Sequence, residues 1–181
     1  MREEAVVGGF CEMILGGARS GKSVLAEARA KASGLEMVYL ATATAGDEEM
    51  SSRIAHHRQR RGADWHLVEE PVALAAALRS HQGEERCVVV DCLTLWLSNC
   101  LHEDCWKSES AALLDTLPEL SGHVILVSNE TGLGVVPMGE LTRRFVDESG
   151  FLHQRVAQIC QQVTLTVAGL PVSLKSSETP R

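Results

Sequence analysis

An α/β fold, a mostly parallel sheet flanked by helices, is what this sequence predicts, and three observations predict it. Short apolar runs alternate with longer segments of helical composition from Met13 to Leu174. The runs are apolar throughout, as in strands covered on both faces, where a half-buried strand would alternate with polar residues. The first run enters a glycine-rich turn that leads straight into a helical pattern, and such sheets bind ligands at the carboxyl ends of their strands.

Taken in order, Met13–Leu15 is the first strand, and Ser23–Ala32, rich in Ala and Glu, the helix after it. Glu36–Ala41 (EMVYLA) is the second strand. Residues 47–61 carry helical composition until Gly62 stops it. Trp65–Val68 is a short strand, and Pro71 opens a helix to about Ser80, proline being tolerated in a first turn. Cys87–Asp91 is the clearest strand, an apolar run ending on a carboxylate. Leu93–Leu101 and Ser110–Leu117 are helices joined by the polar stretch HEDCWKSE. Val124–Val127 is a further buried strand, followed by turn residues from Ser128 to Gly134. Leu141–Gln162 is a long amphipathic helix, with a break expected at Gly150. Val163–Val167 and Pro171–Leu174 are the last strands, joined at Gly169. The expected organisation is an N-terminal extension (1–12), one nucleotide-binding catalytic domain (13–175) and a polar tail (176–181) with nothing to bury.

Composition narrows the partners. The 181 residues carry 17 Lys and Arg against 24 Asp and Glu, a net charge of −7, with 45% hydrophobic residues. Nucleic acid and anionic membranes need a surplus of positive charge, so neither is expected as a partner. No apolar run is long enough to span a bilayer, and MREEAVVGGFCE places glutamates where a leader needs apolar residues. The six cysteines show no C-x-x-C spacing and several sit in apolar runs, which reads as buried thiols in a cytoplasmic protein. His102 and Cys105 lack a matching second pair, so a structural zinc site is not expected.

The chemistry concentrates at three places. Gly16-Gly17-Ala18-Arg19-Ser20-Gly21-Lys22-Ser23 satisfies G-x-x-x-x-G-K-[ST] in the context that pattern demands, a strand before and a helix after. Glycines let successive N–H groups converge on phosphate oxygens at the positive end of the helix. Lys22 then neutralises charge between the outer phosphates, and the Ser23 hydroxyl ligates Mg²⁺. Asp91 ends an apolar strand, where it would hold Mg²⁺ through water, hydrogen-bond a sugar hydroxyl, or simply cap the helix near Leu93. The N-K-x-D guanine signature of switch GTPases is absent, since Ser128-Asn129-Glu130 lacks the lysine.

The third place is Arg53-Ile-Ala-His56-His57-Arg58-Gln59-Arg60-Arg61. On a helix, Arg53, Ile54, Arg60 and Arg61 share a face with His57, while Ser52, Arg53, Gln59 and Arg60 share one with His56. A solvated cationic face is the plain reading of such a run. In an acidic chain with a phosphate loop, the cations would instead attract phosphate oxygens and keep an imidazole neutral and nucleophilic.

These motifs, with Tyr39-Leu-Ala-Thr-Ala43, Asp47-Glu-Glu-Met50, Val90-Asp-Cys-Leu-Thr-Leu-Trp-Leu-Ser-Asn99 and Val127-Ser-Asn-Glu-Thr-Gly-Leu-Gly-Val-Val-Pro137, carry a resemblance. It continues through Phe145-Val-Asp147, Gln154 and Arg155 to Val167-Ala-Gly169, over roughly residues 13–175. The sequence resembles the bifunctional adenosylcobinamide kinase/adenosylcobinamide-phosphate guanylyltransferases of cobalamin biosynthesis. The resemblance implies a RecA-like phosphate-loop fold, a cytoplasmic location and a homotrimer. It implies phosphorylation of adenosylcobinamide with ATP or GTP. GMP then passes from GTP, through a guanylyl-histidine, to give adenosylcobinamide-GDP and pyrophosphate. By motif, His57 of the His56–His57 pair takes the guanylyl group and Lys22 serves the phosphates. Gly16 to Ser23, then Ala41, Thr42 and Ala43, then Arg58, Gln59, Arg60 and Arg61 match nucleotide-binding segments, and Glu69 and Asp91 match acidic nucleotide-binding positions.

Two rival readings are a regulatory module that hydrolyses nucleotide slowly and a simple small-molecule kinase. Both use Lys22 and Ser23 but leave the histidine–arginine segment and the Ser128–Pro137 loop without work. Trp96 and Leu97 are expected in the core or a subunit contact, and Trp65 and Trp106 in aromatic packing. His66, His81, His102, His123 and His153 receive no role.

Overall fold

Among the residues that the structure, a computed structural model, describes (9–43 and 64–176), the elements follow in the expected alternation. They are β1 (Phe10–Gly16), α1 (Lys22–Ser33), β2 (Glu36–Ala41), β3 (Trp65–Glu69), α2 (Leu74–His81), β4 (Arg86–Asp91), α3 (Leu93–His102), α4 (Trp106–Thr116), β5 (His123–Asn129), α5 (Glu140–Ile159), β6 (Gln162–Val167) and β7 (Leu170–Lys175), with a 3₁₀ turn at Leu117–Glu119. The strands form one seven-stranded sheet in the order β3-β2-β4-β5-β1-β6-β7. All neighbours are parallel except β6 and β7.

Two cores follow from the strand period of two. Met13 and Leu15 of β1, Val88 and Val90 of β4, and Val124 and Leu126 of β5 pack with Leu78, Trp96, Leu97, Leu113 and Val156 from α2 to α5. Ile14, Val89, Ile125 and Val127 face the other way and pack with Ala26 and Ala30 of α1. Apolar runs without alternation are therefore strands with a helix on each side. Trp96 and Trp106 meet edge to face at 5.3 Å.

The boundaries depart from expectation in four informative ways. The first strand begins at Phe10, because Phe10–Glu12 pair with His123–Ile125 of β5. The stretch expected as a polar joint is helical from Trp106, whose ring is drawn onto Trp96. The helix after Pro71 starts only at Leu74, and the Glu70 carboxylate accepts the Val72 and Ala73 N–H groups ahead of it. The break expected at Gly150 does not occur, for α5 runs unbroken through it and ends at Ile159. Glycine costs a helix about 1 kcal/mol; the burial of Leu152, His153 and Val156 on the sheet outweighs that.

Candidate functional site

The parallel register brings the carboxyl ends of six strands to one edge. Gly16 lies opposite Asn129 and Thr166, and Ala41 lies between Glu69 and Asp91. Along that edge, the segment from Gly16 to Ser23 turns from β1 into α1. Gly16 is fixed by crowding, since a Cβ there would stand 2.3 Å from Ser20 Oγ and 2.7 Å from the Thr166 carbonyl oxygen. Gly21 has φ of 96° and Arg19 φ of 56°, so the turn is made from left-handed backbone. The Leu25 N–H donates to the Gly21 carbonyl at 3.0 Å, closing the first helical turn. Gly17, Ala18 and Arg19 are exposed, and the Lys22 side chain folds back inside the loop, its Nζ donating to the Gly17 carbonyl at 3.1 Å.

The loop is braced from two directions. The Glu130 N–H donates to the Gly16 carbonyl at 3.0 Å, and the Gly169 N–H donates to the Ser20 carbonyl at 2.9 Å. The second brace comes from the β6–β7 turn, where Ala168 and Gly169 both take positive φ, the backbone of a two-residue hairpin turn. Beneath the loop, Ser20 Oγ and Thr166 Oγ1 are buried with no hydrogen-bond partner among the described residues. Buried polar atoms are nearly always paired, so this is a place with hydrogen-bonding capacity held in reserve.

Asp91 does not cap α3. Its carboxylate accepts the Tyr39 hydroxyl at 2.8 Å, and the residue before α3 is Cys92, which makes no side-chain cap. Burial pushes the Cys92 thiol up to about 11; Asp91 adds to that rise and Lys22 opposes it. Thr42 is buried, and its hydroxyl is committed to the backbone of Cys92, donating to the carbonyl and accepting the N–H, each at 2.8 Å. Asn99 Nδ2 reaches the Thr42 carbonyl at 2.8 Å. Ala41 and Ala43 flank it half-buried, and Glu69 is exposed at the end of β3.

His56, His57, Arg58, Gln59, Arg60 and Arg61 lie outside the described residues, as does the helix expected over 47–61. All six cysteines are free thiols, and burial raises Cys87 to about 12, which keeps it protonated at neutral pH. No group of three or more His, Cys, Asp or Glu that could hold a metal occurs among the described residues. No described helix is long and apolar enough to cross a membrane. Sequence reasoning missed the Tyr39–Asp91 bond, the reserve at Ser20 and Thr166, and the Gly169 brace. All three depend on which strands become neighbours, and a chain read in order carries no such signal.

A strand, a glycine turn wrapped round a buried lysine, and a helix, set at the edge of a parallel sheet, define a phosphate-loop nucleotide-binding protein. Solved structures similar to it include the flagellar accessory protein FlaH from Methanocaldococcus jannaschii (TM-score 0.52, 12% identity, 93% of this chain and 79% of that one). The RadB recombinase is another (TM-score 0.52, 17% identity, 87% and 74%). At such identities the likeness shows the fold alone, a mostly parallel sheet flanked by helices.

Sequence comparison narrows the class. The family model for cobinamide kinase / cobinamide phosphate guanyltransferase matches residues 12–174. The bifunctional adenosylcobalamin biosynthesis protein CobP of Pseudomonas aeruginosa is 61% identical over 167 residues, covering 91% of this chain and 96% of that protein. The bifunctional adenosylcobalamin biosynthesis protein CobU of Escherichia coli is 34% identical over 179 residues, covering 90% and 98%. This chain belongs to the cobinamide kinase / cobinamide phosphate guanyltransferase family of cobalamin biosynthesis.

Proposed function

We propose that this chain carries out both half-reactions of its family at one phosphate site. In the first, the side-chain hydroxyl of adenosylcobinamide attacks the γ-phosphorus of ATP or GTP. An O–P bond forms, the bond to the nucleoside diphosphate breaks, and the hydroxyl proton is lost. In the second, a ring nitrogen of His57 attacks the α-phosphorus of GTP and pyrophosphate leaves. A phosphate oxygen of adenosylcobinamide phosphate then attacks the same phosphorus and releases the histidine.

The observation that carries this reading is Lys22 folded inside a complete phosphate loop, with no second such loop in the sequence. Lys22 neutralises the phosphate charge that develops in either reaction, and the convergent N–H groups of the loop hold the oxygens. Ser23 in the first turn of α1 and Asp91 at the end of β4 supply a hydroxyl and a carboxylate, hard oxygen donors that suit Mg²⁺. When bound there, the ion supplies further charge neutralisation. Arg58 to Arg61 follow His57 in sequence and would grip the triphosphate, while Glu69 and the Ala41–Ala43 segment edge the nucleotide.

A cytoplasmic homotrimer is part of the proposal. Subunit contact needs apolar surface, and Val167, Leu170, Val172 and Leu174 on the β6–β7 hairpin are exposed. Sedimentation of the purified protein at three times the monomer mass is the expected result.

Incubation with α-labelled GTP separates the proposal from its rivals, since only a guanylyltransferase becomes covalently labelled. The expected label is released by acid and retained in alkali, as a phosphorus–nitrogen bond is. His57→Ala should not label, yet it should still phosphorylate adenosylcobinamide. Label retained in His57→Ala but lost in His56→Ala would move the role by one residue, and label retained in the double variant would sink the mechanism.

A further inference from the structure

His153 has no place in the chemistry above, yet it is buried within two residues' reach of the phosphate loop. It projects from α5 onto the end of β5, where its Nε2 lies 2.7 Å from the Ser128 hydroxyl, and both residues are buried. Its Nδ1 faces the Glu130 carboxylate, with Oε2 at 4.0 Å. Burial lowers the imidazole pKa, and Glu130 opposes that only in part, so the ring is neutral at neutral pH. The Ser128 hydroxyl and Nε2 share one hydrogen bond, whose direction follows the ring tautomer.

This Ser–His–Glu cluster lies one peptide from the nucleotide loop. Ser128 pairs with Leu15 and Asn129 with Gly16 in the sheet, and the Glu130 N–H holds the Gly16 carbonyl. Glu130 Oε1 also accepts the Gly132 N–H at 2.6 Å, and Asn129 Nδ2 donates to Thr94 Oγ1 on α3 at 3.0 Å. Ser128, Asn129 and Glu130 are therefore each tied to a different element: α5, α3 and the phosphate loop.

We infer that His153 is a positioning residue for the phosphate site: through Ser128 and Glu130 it sets where the β5 end holds Gly16, and hence the geometry of the loop. The inference rests on the reading that one loop serves both half-reactions. It predicts a loss of turnover in both by the same factor, because the displaced part is common to them. Misplacement of a positioning element costs from about tenfold to about a hundredfold.

The test uses the full chain with His153→Phe, His153→Gln and Ser128→Ala, each compared with wild type in guanylyl labelling rate, kinase turnover and GTP affinity by calorimetry. His153→Phe fills the space but makes no bond to Ser128; His153→Gln keeps a side-chain hydrogen-bonding partner for Ser128. The expected result is a fall in kcat of tenfold or more in His153→Phe for both half-reactions, with KM for GTP changed far less. Recovery of most of that loss is expected in His153→Gln. If His153→Phe does not fold, Ser128→Ala removes the same bond with a smaller change and should lose turnover in the same two-reaction pattern. Folded Ser128→Ala or His153→Phe with wild-type kcat in both reactions would overturn the inference, as would a loss confined to one of them. A merely structural role would lower the melting temperature while leaving kcat per folded molecule intact, and that too would overturn it. Wild-type labelling in the same experiment keeps the two readings apart: if wild type labels and the variants match it, the inference alone fails. If wild type does not label, unchanged GTP affinity and kinase turnover in the variants still overturn the inference.

Discussion

Strand β1 has buried polar groups at both ends, and the two ends are finished differently. At its start the Glu12 carboxylate, almost wholly buried, accepts the Arg29 guanidinium on one oxygen and lies 3.0 Å from His123 Nε2 on the other. Arg29 spends a second N–H on Thr164 Oγ1 at 3.1 Å. At its finish Ser20 Oγ and Thr166 Oγ1 are also buried and have no partner among the described residues, and the Lys22 ammonium donates to a loop carbonyl. The lesson is that burial of polar atoms does not mark a site, whereas burial without partners at a strand's carboxyl end does. One end is paired, and the other leaves hydrogen-bonding groups unspent among the described residues.

Breaking the amino-terminal end should therefore cost stability alone. Arg29→Ala leaves the buried Glu12 carboxylate with the His123 contact but without its counter-charge, and should lower unfolding free energy by up to about 3 kcal/mol in denaturant titration. The fraction that remains folded should keep wild-type turnover. Lys22→Ala inverts the pattern: both half-reactions should fall by about 10²–10³-fold, with little change in the denaturation midpoint. If either activity stayed near wild type, the shared site would have to be abandoned.

Gly16→Ala sits between these extremes. Its methyl group meets Ser20 Oγ and the Thr166 carbonyl below any normal contact distance, so the loop and β6 must part. Overpacking of this kind costs about 1–3 kcal/mol, and here the loss should appear in nucleotide affinity as well as in stability. Equal GTP affinity in Gly16→Ala and wild type would argue against the loop as the phosphate site.

A smaller effect separates the ends by pH. His153 has its pKa lowered in the fold, chiefly by burial, so below about 6.5 the unfolded chain takes up a proton that the folded chain resists. Stability therefore falls as pH drops through that range, by at most about 1.4 kcal/mol per pH unit from this group. His153→Gln should flatten that part of the stability curve, and an unchanged slope would assign it elsewhere. Smallest of all, Asp91→Asn should raise the Mg²⁺ concentration for half-maximal activity. Weaker GTP binding at an unchanged Mg²⁺ requirement would point to a sugar contact instead.

How much of this was legible depends on whether the information is local. The parallel sheet was readable because Val88–Val90 and Val124–Val127 are apolar without alternation, a property of each run by itself. Gly16 to Ser23 was readable for the same reason, since every feature of the loop is encoded within it. The long-range partners were not. Ser20 needs Thr166 as a neighbour and Ser128 needs His153, pairs far apart in sequence that only the strand order brings together. Gly150 misled because helix propensity is a local term, and it yields where Leu152 and Val156 seat the helix on the sheet. Trp106 misled in the same sense, its polar neighbours hiding a ring that belongs in the core.

The bond from Gly169 to Ser20 also has a meaning in time. Synthesis runs from the amino end, so the segment from Gly16 to Ser23 leaves the ribosome while β5, β6 and the hairpin turn are still unmade. Its Gly16 carbonyl must wait for Glu130, and its Ser20 carbonyl for Gly169. A nascent chain would carry the complete nucleotide signature long before it acquires the supports that shape it. Capture of GTP then becomes a late event in the life of the polypeptide, and chains stalled ahead of residue 169 should be poor competitors for the nucleotide pool.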